Sequence, residues 1–264
     1  MRKKLDDFVA AVGFLTTLPV RVRTAWDDRG KLAWFPVVGV LIGLGLWGVD
    51  TLGLHYLTRP GRAVFDLVYL VIVSGGLHLD GLADAADGLC SRRSREEMLV
   101  IMKDPRTGVF GVVAVVLVMA VKGAALLTAD DPFGTLRPLT LVLAPAFARA
   151  AMLAGLETMA YVRPGTGIAS GLVPARRTPW TMATILLPLV GAFAALVLPG
   201  DVPTRTAVRL GFMLVLTATG VTAAWLAICR NRIGGVTGDT LGALGELVEA
   251  VVLFTLCVQF PGGF

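Results

Sequence analysis

The chain has 264 residues, of which 55% are hydrophobic and only 16% charged, against about 25% charged in an average soluble domain. Together with a mean hydropathy of +0.75, this excludes an ordinary soluble enzyme and points to a membrane protein. The net charge of +5 fits basic loops that orient such a protein in the bilayer, and no nucleic-acid partner is expected.

In chain order, the first apolar run is FVAAVGFLTTLPV (8–20). It is too short to span a bilayer and ends at Pro19, so an interfacial helix or a short re-entrant piece is expected. Seven longer runs follow as candidate transmembrane helices: 33–54, 64–79, 108–128, 139–159, 180–198, 208–228 and 241–260. The second is short, and the fourth contains Arg149. No low-complexity linker divides them, so the expected fold is all-α: one integral membrane domain, 1–264, a polytopic bundle of about seven transmembrane helices. Cys90, Cys229 and Cys257 form no CxxC pair, so neither zinc nor a redox dithiol is expected.

Seven spans with a cytoplasmic N-terminus leave 1–32, 80–107, 160–179 and 229–240 inside. These segments carry seventeen of the 24 Lys and Arg residues, as the positive-inside rule requires. The same topology gathers three polar segments on the cytoplasmic side: 78–108, 161–177 and 230–249. A polar cavity open to the cytoplasm is the expected site.

The first segment contains GGLHLDGLADAADG (75–88). Asp80, Asp84 and Asp87 are spaced i, i+4, i+7 and share one helical face. Like charges that close repel, so the face needs cations. Carboxylates without a cysteine cluster suit Mg²⁺, which shares its coordination sphere with water and substrate phosphates. Asp80, Asp84 and Asp87 are the candidate metal ligands. Asp84, Asp87 and His78 are the candidate catalytic groups, although the helical wheel turns His78 away from Asp80.

Downstream, Ser94 and Glu97 fit a capping box. Met98, Leu99, Ile101 and Met102 are then expected on an amphipathic helix at the membrane surface. Lys103 and Arg106 flank Asp104 and suit phosphate oxygens. In the second segment, Arg163 lies in a glycine-rich loop (Gly165, Gly167, Gly171) that could wrap a substrate. In the third, Asp239, Glu246 and Glu249 again share one face. They are expected to form a second acidic wall opposite the first, or to contact a polar substrate.

DAADG (84–88) matches the opening of the CDP-alcohol phosphotransferase signature, but the later aspartates of that signature are missing. The whole chain resembles the cobalamin synthase family, the adenosylcobinamide-GDP ribazoletransferases. The resemblance rests on FLTTLPV (14–20), FPVVGVLIG (35–43), GGLHLDGLADAADG (75–88), REEMLVIMKDPRTGVFG (95–111) and GGVTGDTLGALGELVE (234–249), in the family's order. It implies a Mg²⁺-dependent transferase of late cobalamin biosynthesis, multi-pass in the cell inner membrane. Its substrates would be adenosylcobinamide-GDP and alpha-ribazole or alpha-ribazole 5′-phosphate, with GMP released. Substrate contacts would then fall to Lys103, Arg106, Arg163, Asp239, Glu246 and Glu249. A phospholipid-making CDP-alcohol phosphotransferase or an ion-coupled transporter would use the same acids. A homo-oligomer is compatible with the sequence, which does not fix the oligomeric state.

Overall fold

The computed structural model describes residues 2–21, 29–127, 136–162 and 204–257. Within them the protein is helical, with no β-strand and one isolated bridge between Tyr161 and Val236. The α-helices are α1 (Arg2–Leu15), α2 (Phe35–Tyr56), α3 (Arg59–Ser74), α4 (Leu77–Cys90), α5 (Arg95–Ile101), α6 (Val109–Leu127), α7 (Leu136–Thr158), α8 (Thr204–Ile233) and α9 (Gly238–Phe254).

Four stretches among the described residues are long and apolar enough to cross a membrane: Gly30–Tyr56, Val109–Leu127, Leu136–Thr158 and Val208–Ile233. They correspond to the expected runs 33–54, 108–128, 139–159 and 208–228. The run 180–198 lies outside the described residues. The remaining two runs differ from expectation. Run 64–79 is not one helix: α3 ends at Ser74, and α4 leaves it at a bend of 87°, making at most a broken fifth span. Run 241–260 becomes α9, whose 17 residues include Asp239, Glu246 and Glu249. Its described part is largely buried in the bundle and continues as a 3-10 turn to Cys257; residues 258–260 of the run lie outside the described residues. Outward-facing Phe65, Ile72, Val116, Leu117, Phe212 and Leu216 are exposed, which suits a hydrocarbon surround rather than water.

The α3–α4 corner has a local cause. Gly75 and Gly76 both adopt left-handed backbone, with φ of 63° and 71°, which only glycine reaches without a Cβ penalty. Gly75 N–H donates to Ile72 O and Gly76 N–H to Val71 O, each at 3.0 Å, the paired bonds of a Schellman helix end. The N-terminal segment buttresses the corner. Thr17 N–H donates to Val73 O at 2.9 Å, and its hydroxyl donates to Ile72 O at 2.9 Å. The run 8–20 is thus partly the helix α1 and partly a brace on this turn.

At the centre, α7 packs against α2 and α9. Gly39 and Gly43 of α2, four apart, let α7 come close. A Cβ at Gly39 would lie 2.6 Å from Ala146 Cα, and one at Gly43 would lie 2.6 Å from Val142 Cα. Small residues at this spacing are how helices in lipid gain van der Waals contact. Against this core, α4 lies between α9 and α6, and this placement creates the site.

Candidate active site

The LHLDGLADAADGLC segment does form a helix, α4, so its aspartates share a face as their spacing implies. Asp80 is exposed, and Asp84 and Asp87 are half-buried. The opposite face is small and packs on α9. A Cβ at Gly81 would lie 3.0 Å from Asp239 Cα, and one at Gly242 would lie 3.2 Å from His78 Cα. Residue numbers rise along α4 as they fall along α9, so the two helices run antiparallel. Asp239, at the N-terminal end of α9, therefore lies beside the acidic end of α4. Thr237 caps α9, accepting from Thr240 N–H at 3.1 Å. The helix start offers partial positive charge to nearby carboxylates.

The basic loop comes to the same place. Ser94 and Glu97 form the expected capping box at the start of α5, with Ser94 N–H donating to Glu97 Oε2 at 3.0 Å and Glu97 N–H donating to Ser94 Oγ at 3.3 Å. Met98 and Met102 are buried, and a Cβ at Gly88 would lie 2.5 Å from Met102 Cγ. This corrects the expected membrane-surface helix: both methionines are buried, Met102 against Gly88 of α4, and of that stripe only Leu99 and Ile101 are partly exposed. Beyond them Lys103 and Arg106 are exposed. Arg106 donates to Asp104 through Nε at 2.9 Å and Nη2 at 2.7 Å, and these bonds hold the Asp104 carboxyl down at about 2. The loop closes on α4 where Gly108 and Gly111 N–H donate to Asp87 at 2.6 and 2.9 Å.

The other polar segments also converge here. Val162 N–H donates to Val236 O at 3.0 Å, and Val236 N–H to Ala160 O at 2.8 Å, tying the chain after α7 to the turn before α9. Arg232 Nη2 donates to Leu89 O at 2.9 Å, fastening the end of α8 to α4. Three segments far apart in sequence thus meet around the end of α4 that carries the aspartates.

A family model described as cobalamin-5-phosphate synthase matches residues 7–257. The chain belongs to this family. It is 34% identical over 257 residues to an adenosylcobinamide-GDP ribazoletransferase of Brevibacillus brevis, covering 96% of this chain and 98% of that protein. It is 39% identical over 266 residues to the protein of that name in Pseudomonas paraeruginosa, covering 98% and 100%. The Pseudomonas entomophila protein of that name is 39% identical over 261 residues, covering 96% and 98%. No solved structure matches the chain significantly.

The sequence-derived site residues fall into two groups. Asp80, Asp84, Asp87, Asp239, Lys103 and Arg106 belong to the region just described. His78, Glu246 and Glu249 do not share its exposure. Glu246 and Glu249 are buried with Lys122, whose Nζ donates to Glu246 Oε2 at 2.6 Å and Glu249 Oε1 at 2.7 Å. Arg149 Nη1 donates to Glu249 Oε2 at 2.6 Å. The expected second acidic wall is therefore, at its inner end, a neutral network of two acids and two cations from α6, α7 and α9. His78 is 4% exposed and has Arg149, Glu249 and Lys122 as electrostatic neighbours, away from Asp80. Arg163 lies outside the described residues.

Sequence reasoning missed the partners, Lys122 and Arg149. The available signal was a cation inside each of two apolar runs, which is expensive in lipid unless paired. Acids inside two other apolar runs, Asp50 in 33–54 and Asp66 in 64–79, mark a second network. Arg137 Nη2 sits 2.6 Å from Asp50 Oδ1 and 3.4 Å from Asp66 Oδ2, and Arg62 Nε sits 3.2 Å from Asp50 Oδ1. Arg62 and Arg137, which lie just outside the apolar runs 64–79 and 139–159, are buried.

Among the described residues, no group of three or more His, Cys, Asp or Glu side chains is placed to hold a metal ion. The donors present fit Mg²⁺ only in its commoner mode, touched by one or two carboxylates while it travels with substrate phosphates.

Proposed function

We propose that the protein is a transferase that joins adenosylcobinamide-GDP to alpha-ribazole or its 5′-phosphate, releasing GMP, with the site on the cytoplasmic side of the cell inner membrane. The observation that carries this is the meeting of a partly exposed carboxylate face with an exposed Lys103–Arg106 loop, in a chain whose full-length relatives bear the name of that activity. A diphosphate needs both: cations for its oxygens and carboxylates for a proton and a divalent ion.

In this reading Lys103 and Arg106 hold phosphate oxygens, Arg106 by exchanging its Asp104 partner for the substrate. The ribazole 3′-hydroxyl attacks the phosphorus that bears the cobinamide. A phosphorus–oxygen bond forms to that hydroxyl oxygen, and the bond to the bridging oxygen breaks, so GMP departs with the bridge. A carboxylate of the α4 face, Asp84 in this reading, takes the hydroxyl proton. His78 is too deeply buried for that task. Asp80 and Asp84 would hold Mg²⁺, which supplies neutralisation of charge on the diphosphate. Asp239 would meet the polar rim of the corrinoid.

The test is purified protein with adenosylcobinamide-GDP, alpha-ribazole 5′-phosphate and Mg²⁺, followed by GMP and cobamide detection. GMP and cobamide in equal amounts, abolished by EDTA, are expected. CMP release from a CDP-alcohol, or ion flux into proteoliposomes without group transfer, would overturn the reading.

A further inference from the structure

Asp87 is tied to a neighbouring helix through its carboxylate. Both of its oxygens accept backbone N–H groups, from Gly108 at 2.6 Å and Gly111 at 2.9 Å. These amides open α6, where the first N–H groups have no acceptor inside the helix. The approach is so close that it needs glycine at both positions. A Cβ at Gly108 would lie 2.5 Å from Oδ1, and one at Gly111 would lie 2.5 Å from Oδ2. The next residue, Gly88, receives Met102. Two neighbouring residues of α4 therefore anchor both ends of the segment 102–108, and Lys103 and Arg106 hang between the anchors. Between them the stretch makes short-range bonds: Lys103 N–H to Val100 O, Asp104 N–H to Ile101 O, and the Asp104–Arg106 pair.

We propose that Asp87 is a positioning residue, which fastens the Lys103–Arg106 loop to α4 and so sets the phosphate-holding cations at a fixed distance from Asp80 and Asp84. The proposal rests on the reading of the site given above and takes Asp87 out of the metal's ligand set. Charge-assisted bonds to a helix start are strong enough for the role. Glycine at 108 and 111 is the complementary half of the device.

The primary readout needs neither substrate nor metal. Tryptic cleavage after Arg106, in detergent-purified protein with EDTA, reports opening of the loop. Asp87→Asn, which keeps one acceptor oxygen, and Asp87→Ala, which keeps none, should raise cleavage in that order, Asp87→Ala by roughly tenfold or more. Gly111→Ala should resemble Asp87→Ala. Asp80→Asn, which removes an exposed carboxylate from the same face, should cleave like the unaltered protein. In the transferase assay Asp87→Asn should raise KM for the diphosphate substrate more than it lowers kcat, with the half-saturating Mg²⁺ concentration unchanged. Unaltered cleavage in Asp87→Asn together with a higher Mg²⁺ requirement would make Asp87 a metal ligand and overturn the proposal. If the unaltered protein shows no group transfer while loop opening follows the predicted order, the proposed function falls and the positioning role stands.

Discussion

Two helices carry acids at helical spacing, and the bundle treats them in opposite ways. On α4, Asp80 is exposed while Asp84 and Asp87 are half-buried at the end of the bundle. On α9, Glu246 and Glu249 sit deep, 6% and 3% exposed, with Lys122 and Arg149 against them. Spacing alone does not separate the two, because it fixes only that the acids share a face. The neighbouring helices decide. Both α6 and α7 bring a cation to α9, whereas α4 meets α9 through glycine and turns its acids outward. An acid opposed by a buried cation, or by helix-start amides as Asp87 is, is part of the scaffold; an exposed acid such as Asp80 is available to a substrate.

The hardest way to break this comparison is to remove the cation. Lys122→Met leaves Glu246 and Glu249 buried with only Arg149 to oppose them, and such a change costs about 3–5 kcal/mol. A large fall in the thermal-unfolding temperature in detergent, with poor membrane accumulation, is expected. Adding Glu246→Gln should recover part of the loss, since the pair is then removed together. A Lys122→Met protein as stable as the original would show that the network does not hold the bundle.

The complementary change is Asp84→Asn. Stability should hardly alter, because the residue is half-buried at the edge. GMP release should fall roughly 10²–10³-fold, the range for loss of one group acting on transition-state charge. Near-normal turnover would remove Asp84 from the chemistry and leave α4 as scaffold like α9.

The parts of this division that were legible in the sequence were the local ones. The helical face of Asp80, Asp84 and Asp87, the Ser94–Glu97 capping box and the turn of His78 away from Asp80 follow from a 3.6-residue period, and all three are found. The gathering of segments 78–108, 161–177 and 230–249 was expected from counting Lys and Arg in loops; the first and third meet, 160–162 is tied to Val236, and 163–177 lies outside the described residues. Long-range pairings were not legible. Nothing local says that Lys122 meets Glu249 across 127 residues, or that Met102 faces Gly88 rather than lipid. The run 64–79 misled because apolar composition persists through Gly75 and Gly76, while the backbone there takes a left-handed turn that hydropathy cannot register.

The smallest effect belongs to the ion pair at the other extreme from Lys122. Asp104 and Arg106 are bidentate, but the arginine side chain is 86% exposed, so water and salt screen the attraction and the pair adds little to stability. Its pH dependence still has a definite sign. The Asp104 carboxyl is held at about 2, below its ordinary 3.8, chiefly by the side-chain bonds from Arg106. The pair's contribution is therefore fully present above roughly pH 4 and is lost as pH falls toward 2. Asp104→Asn should lack that increment. Its unfolding temperature should match the unaltered protein to within about 2 °C at neutral pH, and the gap should close below pH 3. The consequence for binding runs the other way. With no carboxylate to leave, Arg106 reaches a phosphate more easily, so KM for the diphosphate substrate should stay level or fall slightly. A rise in KM would mean that Asp104 orients Arg106 toward the substrate instead of competing for it, and the loop would then be as preorganised as the buried network on α9.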